Sequence, residues 1–378
     1  MLSKALAMGA YQRKCELIAA HSDIELTVLV PPIWDGQKLE RAHTMGYELR
    51  EVPIRFNNNF HLHYYPTLKA ELARAQPDIF HVDEEPYNLA TWLACACATH
   101  PRSDRRGASH VKTIFFSWQN IRRSYPPPFS WIERTVLQHT DAAIVGNREA
   151  EQVWRAKGFA KPIHVIPQFG VDENVFKPKS KTLRQAQDAV KNQKFKIGYV
   201  GRLVKEKGVY LAIEALQGLP EAQLLIVGSG PLQQPLIDFA DSLGLSHRVE
   251  FRPQVPSTQM PALYRELDVL VLPSLMQRNW KEQFGRVLIE AMACGVPVIG
   301  STCGEIPTVI GDAGLTFAEG DSDALLKQLL KLQQQPALQQ DLAQRGRTRV
   351  LENFTMQRIA DATVAVYRLL AIGNLRFD

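Results

Sequence analysis

The segment WKEQFGRVLIEAMACGVP, from Trp280 to Pro297, gathers residue types that can handle a phosphorylated, hydroxyl-bearing ligand. Glu282 and Glu290 are separated by seven residues, and Phe284 and Gly285 between them open an apolar run that extends to about Cys294. Gly295 and Pro297 then follow in the order that ends a helix. The first amides of such a helix point outward, and glycine lets an anion such as a diphosphate approach them closely. A carboxylate ahead of the helix, Glu282, can reach hydroxyls beyond the diphosphate. Glu290, more than a turn inside, can accept hydrogen bonds from a ribose. The bland alternative makes Glu282 a first-turn acid favoured by the helix dipole and Glu290 a solvated helix residue. The surrounding Gly, Phe, Gly and Pro pattern weighs against it.

A second cluster is cationic. In YVGRLVKEKG, from Tyr199 to Gly208, Arg202 and Lys207 follow a strand-like run and can neutralise a departing diphosphate, the task a metal performs elsewhere. Lys205, Glu206 and Lys207 also read as a solvated helix start. After IVGSGP, from Ile226 to Pro231, a dinucleotide fingerprint would need a third glycine where Gln233 stands, so a hydride-transfer cofactor is not indicated. Asp83, Glu84 and Glu85 follow the strand-like DIFHV. They line a ligand site at that strand's end, cap the next helix, or hold Mg²⁺ as acidic pairs do.

The elements that must carry these residues are legible as alternating runs. ELTVLV, DIFHV, TIFFSW, AAIVG and HVIP are apolar, β-branched and bounded by turn residues, the signature of parallel strands buried on both faces. The pattern restarts with KIGYVG, QLLIVGSG, VEF, DVLVLPS, VPVIGS and GLTF, so two doubly wound domains are expected. The chain opens MLSKALAMGAYQRK, as if at the first strand's turn, so that strand is expected to be missing. Met356, Ile359, Thr363, Tyr367 and Leu370 lie near helical spacing and give a final helix one apolar face.

With 378 residues, 45% hydrophobic and 22% charged, the chain is in the globular range. Its 44 Lys plus Arg against 39 Asp plus Glu leave +5 dispersed along the sequence, which does not suggest a nucleic-acid groove. The five cysteines, odd in number and without zinc spacing, favour a reduced, cytosolic setting. No apolar run approaches the roughly 18 to 20 residues that span a bilayer. The stretch Arg122, Arg123, Tyr125, Pro126–Pro128, Phe129 and Trp131 could dock on anionic lipid headgroups, bind a phosphorylated acceptor, or pack its aromatics inward. His81 and His110 read as packing or surface residues.

The glutamate spacing, YVGRLVKEKG, IVGSGP and VIPQFGVD from Val165 to Asp172 together resemble glycosyltransferase family 4, retaining enzymes of GT-B fold with an EX7E signature. The resemblance extends across most of the chain. It implies two Rossmann-like α/β domains facing across a cleft, with a C-terminal helix crossing back to the first. The boundaries expected are 1–170 for an acceptor-binding domain, 171–194 for a linker, 195–354 for a nucleotide-sugar domain and 355–378 for the crossover. The implied activity moves a hexose-type sugar from a UDP-, GDP- or ADP-sugar to a glycan, glycolipid or small-molecule acceptor, without a metal, in the cytoplasm or at the inner face of a membrane. Glu282, Arg202 and Lys207 would be catalytic. Gly201, Gly228, Gly230, Phe284, Gly285, Arg286 and Glu290 would bind the donor. Gly9 sits where the family places a glycine-rich loop against the donor phosphates and acceptor, and Gly9, Glu84 and Glu85 would face the acceptor. Many members place a His after the strand matching TIFFSW; this chain has Ser117, Trp118, Gln119 and Asn120, which makes Gln119 and Asn120 the acceptor-side candidates. A sugar-nucleotide epimerase and a non-catalytic nucleotide-sugar or glycan binding protein are the alternatives.

Overall fold

Apolar runs bounded by turns become parallel strands where helices can cover both faces of a sheet. The computed structural model describes residues 1–98, 111–178 and 194–372, and the chain divides into one unit of Met1–Phe169 with Met356–Asp378 and a second of Gly170–Thr355. His110 and most of the expected linker, residues 179–193, lie outside the described residues.

The first unit runs α1 (Arg13–Ala19), β1 (Thr27–Val30), β2 (Glu48–Glu51), α2 (Leu68–Ala75), β3 (Ile79–Val82), α3 (Leu89–Ala98), β4 (Lys112–Ser117), α4 (Phe129–His139), β5 (Ala142–Val145), α5 (Arg148–Ala156) and β6 (Ile163–Val165). β1 pairs with β2, and β3, β4, β5 and β6 pair in that order, every pair parallel. The slot between β1 and β3, where a first strand was expected to be lacking, is filled by the chain's own first residues. Leu2 bridges in parallel to both Leu29 and Val82. Its N–H donates to His81 O at 2.9 Å, and its carbonyl accepts from Asp83 N–H at 2.8 Å. β2, with its sequence ELRE, is a half-exposed strand with no apolar run to announce it.

The second unit runs β7 (Phe195–Val200), α6 (Val209–Leu216), β8 (Ala222–Val227), α7 (Gln233–Ser242), β9 (Val249–Arg252), α8 (Met260–Tyr264), β10 (Val269–Leu272), α9 (Arg286–Ala293), β11 (Val298–Ser301), α10 (Ile306–Ile310), β12 (Leu315–Phe317), α11 (Ser322–Gln334) and α12 (Pro336–Asn353). Its six parallel strands lie in the order β9-β8-β7-β10-β11-β12. Ile197, Tyr199, Leu224, Ile226, Val269, Val271 and Ile299 pack one face against α6 and α11. The order reverses between β7 and β10, which is where open α/β sheets bind ligands, at the carboxyl ends of the strands. Both chemistry-bearing segments leave those two neighbouring strands: residues 201–208 follow β7, and residues 273–285 follow β10.

The last helix, α13 (Met356–Ile372), returns to the first unit. Ile359, Ala360, Val364, Val366 and Tyr367 share a core with Cys15, Ile18, Val28 and Ile114. Tyr367 Oη and His81 Nδ1 share a hydrogen bond at 2.8 Å, and burial holds the His81 ring well below the usual histidine pKa, so His81 is a neutral packing residue. The second unit begins and ends at one place, for Val171 bridges in parallel to Thr355 and its N–H donates to Phe354 O at 3.0 Å.

Candidate active site

Lys207 and Glu282 meet. Lys207 Nζ lies 2.6 Å from Glu282 Oε2, with side-chain exposures of 15% and 9%. The same carboxylate oxygen accepts from Ser274 Oγ at 2.9 Å, and the ammonium stands 4.9 Å from the centroid of the Trp280 ring. The backbone fixes this arrangement. Gly208 has φ +61°, and a Cβ there would lie 2.0 Å from Pro273 O, so glycine alone lets the turn after Lys207 seat against the end of β10. On the other side Gly304, φ +57°, lets its loop pass where a Cβ would come within 2.2 Å of Glu282 O. That carbonyl accepts from Glu305 N–H at 3.1 Å. Ser274, Trp280, Gly304 and Glu305 were not singled out from the sequence. Their signal is position: Ser274 lies in the loop after β10, Gly304 and Glu305 in the loop after β11, and Trp280 two residues before the glutamate.

Gly285, φ +76°, is the N-cap of α9 and supplies no side-chain cap, whereas Asn147 caps α5 and Asp321 caps α11 with their own oxygens at 2.8 Å. Glu290 is 4% exposed. Its Oε1 accepts from Arg286 Nε at 2.7 Å and its Oε2 from Tyr264 Oη at 2.6 Å. Burial, with the Glu290 charge beside it, holds the Tyr264 hydroxyl well above its ordinary pKa, so it stays a donor. The sequence expectation of a ribose contact at Glu290 therefore meets a carboxylate already engaged on both oxygens. Phe284 is buried and meets Phe354 edge-on at 5.7 Å.

The structure gives two of the glycines expected at the donor a reason different from ligand approach. A Cβ on Gly228 would lie 1.9 Å from Gly201 O, and one on Gly230 would lie 2.4 Å from Leu203 O. Gly201 N–H donates to Val227 O and Leu203 N–H to Ser229 O, which knits the loops after β7 and β8 together. Arg202 does not join Lys207 and Glu282. It is 67% exposed and pairs with Glu206 at 3.6 Å.

In the first unit the three acidic residues after β3 turn to separate partners. Asp83 accepts from Ser3 Oγ at 2.6 Å and Gln168 Nε2 at 2.8 Å. Glu84 is fully buried, which alone would raise its pKa, but the Lys4 ammonium and His63 outweigh burial and hold it at about 2. Lys4 in turn lies over the rings of Trp34 and Phe60, at 4.7 and 4.3 Å. Burial pushes Glu85 up to about 7, against hydrogen bonds from Ser117 Oγ at 2.6 Å and Trp118 N–H at 2.8 Å. Glu85 thus straps down the loop that carries Gln119, whose Nε2 donates to Ile121 O at 3.1 Å. Asn120 turns away to Glu149, at 3.1 Å. The Gly9 N–H is taken by Glu40 Oε2 at 2.8 Å. In the basic aromatic stretch, Tyr125 and Phe129 pack against Tyr87 and His61, but Trp131 is 61% exposed, which corrects a wholly inward reading. Among the described residues no helix is long and apolar enough to cross a membrane.

Two family models match. Glycosyltransferase Family 4 covers residues 17–174 and Glycosyl transferases group 1 covers residues 180–349. The chain is similar to D-inositol 3-phosphate glycosyltransferase of Mycobacterium bovis, with 31% identity over 263 residues, 66% of this chain and 52% of that protein. The namesake from Mycobacteroides abscessus is 34% identical over 188 residues, 48% of this chain and 41% of that protein. The chain therefore spans about half the length of the curated relatives it matches. Among solved structures, sucrose-phosphate synthase from Thermosynechococcus elongatus superposes with TM-score 0.72 at 22% identity, covering 96% of this chain and 93% of that one. Anabaena HepE in complex with UDP superposes with TM-score 0.73 at 19% identity, covering 97% and 98%. These likenesses give the fold as GT-B. The chain thus matches the Glycosyltransferase Family 4 model in its first part and the Glycosyl transferases group 1 model in its second.

Proposed function

We propose that the chain is a retaining glycosyltransferase that needs no metal ion and moves a hexose-type sugar from a UDP-, GDP- or ADP-sugar to a glycan, lipid-linked or small-molecule hydroxyl. The observation that carries this reading is the Lys207–Glu282 pair at the switch point of a parallel sheet, beside a helix whose N-cap is a left-handed glycine. In this reading the diphosphate rests against the start of α9 and near Lys207, while Arg202, exposed on the same loop, swings in. Glu282 exchanges part of its bond to Lys207 for a hydroxyl of the sugar. The bond between the anomeric carbon and the β-phosphate oxygen breaks as the acceptor oxygen bonds to that carbon from the same face. The departing phosphate takes the acceptor's proton, so no enzyme carboxylate becomes glycosylated. Positive charge at Lys207 and Arg202 stabilises the phosphate as negative charge grows on it, which is worth a few kcal/mol per contact in such sites.

Gly9, Glu84, Glu85, Gln119 and Asn120 remain the acceptor-side candidates. The relatives' name supports trying inositol phosphates first among acceptors, and the HepE complex supports trying UDP-sugars first among donors. We place the protein in the cytoplasm, with peripheral contact at a membrane surface. The test is to incubate the protein with UDP-glucose, GDP-mannose and ADP-glucose, with EDTA present throughout, and to determine the anomeric configuration of any product by NMR. Activity lost to EDTA and restored by Mg²⁺ or Mn²⁺ would defeat the metal-free mechanism. An inverted product would defeat retention.

A further inference from the structure

Lys207 has two kinds of neighbour, and they act on its charge differently. The Glu282 carboxylate, at 2.6 Å, holds the ammonium and also neutralises it. The Trp280 ring, with its centroid 4.9 Å away, attracts the ammonium through its quadrupole but carries no net charge. When Glu282 turns toward a sugar, Lys207 loses its carboxylate partner at the moment its full charge is needed. A lysine freed in this way regains the rotamer freedom of its long side chain and is no longer aimed. The indole face is the contact that limits this freedom without consuming charge.

The local backbone is built to present that ring. Gln277 N–H donates to Trp280 O at 2.7 Å and Trp280 N–H donates to Gln277 O at 3.2 Å, closing a tight turn over exposed Arg278 and Asn279. This turn lies between Ser274, at the end of β10, and Glu282, so the ring and the carboxylate reach Lys207 from one short segment.

We propose that Trp280 is a positioning residue that keeps Lys207 aimed at the donor diphosphate after Glu282 has released it, a role that rests on the function proposed above. Its ring would act through Lys207 and not on the nucleotide itself. Three proteins test it: Trp280→Phe, Trp280→Leu, and Trp280→Leu combined with Lys207→Ala. Turnover of the sugar nucleotide that the wild type uses should fall about tenfold in Trp280→Leu, within the roughly 2- to 30-fold range of a cation–π contact. Trp280→Phe should retain more activity than Leu, and affinity for UDP should change less than threefold in either. In the Lys207→Ala background the Leu substitution should cost less than twofold. UDP should also change the indole fluorescence of the wild type by an increment that Trp280→Phe lacks. A Leu variant as active as the Phe variant, or an equal Leu effect without Lys207, would show that Trp280 merely packs, and the donor site would stand. If UDP, GDP and ADP all fail to bind the wild type in calorimetry, the donor site itself is wrong and this role falls with it.

Discussion

Removing Glu282 should separate stability, binding and turnover in a way that two independent residues would not. Lys207 and Glu282 are 15% and 9% exposed, so Glu282→Ala leaves a mostly buried ammonium without its carboxylate and Ser274 without its acceptor. Breaking a buried pair costs about 3–5 kcal/mol, and the residual exposure lowers this to about 2–3 kcal/mol. For a unit of this size that corresponds to a fall in Tm of roughly 5–10 °C. The double variant with Lys207→Ala should recover part of that loss, because no charge is stranded. Turnover should fall by about 10²- to 10³-fold, the usual cost of a contact made to the reacting group. UDP affinity, however, should stay level or rise by up to roughly tenfold, since Lys207 no longer has to leave a carboxylate to meet the diphosphate. The assay is calorimetric titration of UDP into the wild type, both single variants and the double variant, with EDTA present and thermal melts run alongside. A more than tenfold loss of UDP affinity in Glu282→Ala would refute the reasoning, because it would place Glu282 on the nucleotide and not on the sugar.

Gly208→Ala should destabilise the second unit by more than about 2 kcal/mol and abolish turnover, since the new Cβ would lie 2.0 Å from Pro273 O at φ +61°; a melt within about 2 °C of wild type would contradict this. Arg202→Ala, at a 67% exposed side chain, should leave Tm unchanged and lower turnover more than UDP affinity, as steady-state kinetics against calorimetry can show. Glu290→Gln should weaken UDP binding and lower Tm together, because both Tyr264 and Arg286 lose a charged acceptor. Glu85 has its carboxyl raised from 4.5 to about 7, so the folded chain keeps a proton that the unfolded chain releases. The stability this proton gives is complete below the unfolded pKa and is lost as pH rises through about 7. Glu85→Gln should remove that slope from chemical-denaturation curves taken between about pH 5 and pH 8.

The strands that carry the site were legible because parallel strands covered on both faces must be near-continuous apolar runs, as in VLVL of β10 and TVLV of β1. The helix at Gly285 was legible because glycine and proline punctuate it. β2 was not, for its ELRE sequence sits half-exposed and needs no apolar pattern. The site divided in the same way. The Glu282 and Lys207 positions follow from spacing, but their pairing joins residues 75 apart in sequence and depends on β7 and β10 being neighbours. Arg202 shares a segment with Lys207, yet its side chain goes to Glu206, a choice among rotamers that composition does not record. The glycines at 228 and 230 were assigned to the donor because of their motif. The backbone crowding that also demands them appears only when the loops after β7 and β8 are placed together.

Helix α13 has a consequence for the order in which the protein matures during synthesis. The core of the first unit needs Ile359, Val364 and Tyr367 against Cys15, Ile18 and Val28. Those closing residues leave the ribosome only after all of Gly170–Thr355 has been made. At translation speeds of roughly 5–20 residues per second, α1 and β1 wait on the order of ten seconds or longer with an apolar face uncovered. The second unit, by contrast, has its whole sequence available as soon as Thr355 emerges. The later-made unit is therefore the first that can finish folding, and the exposed face of α1 is where a chaperone would find this nascent chain.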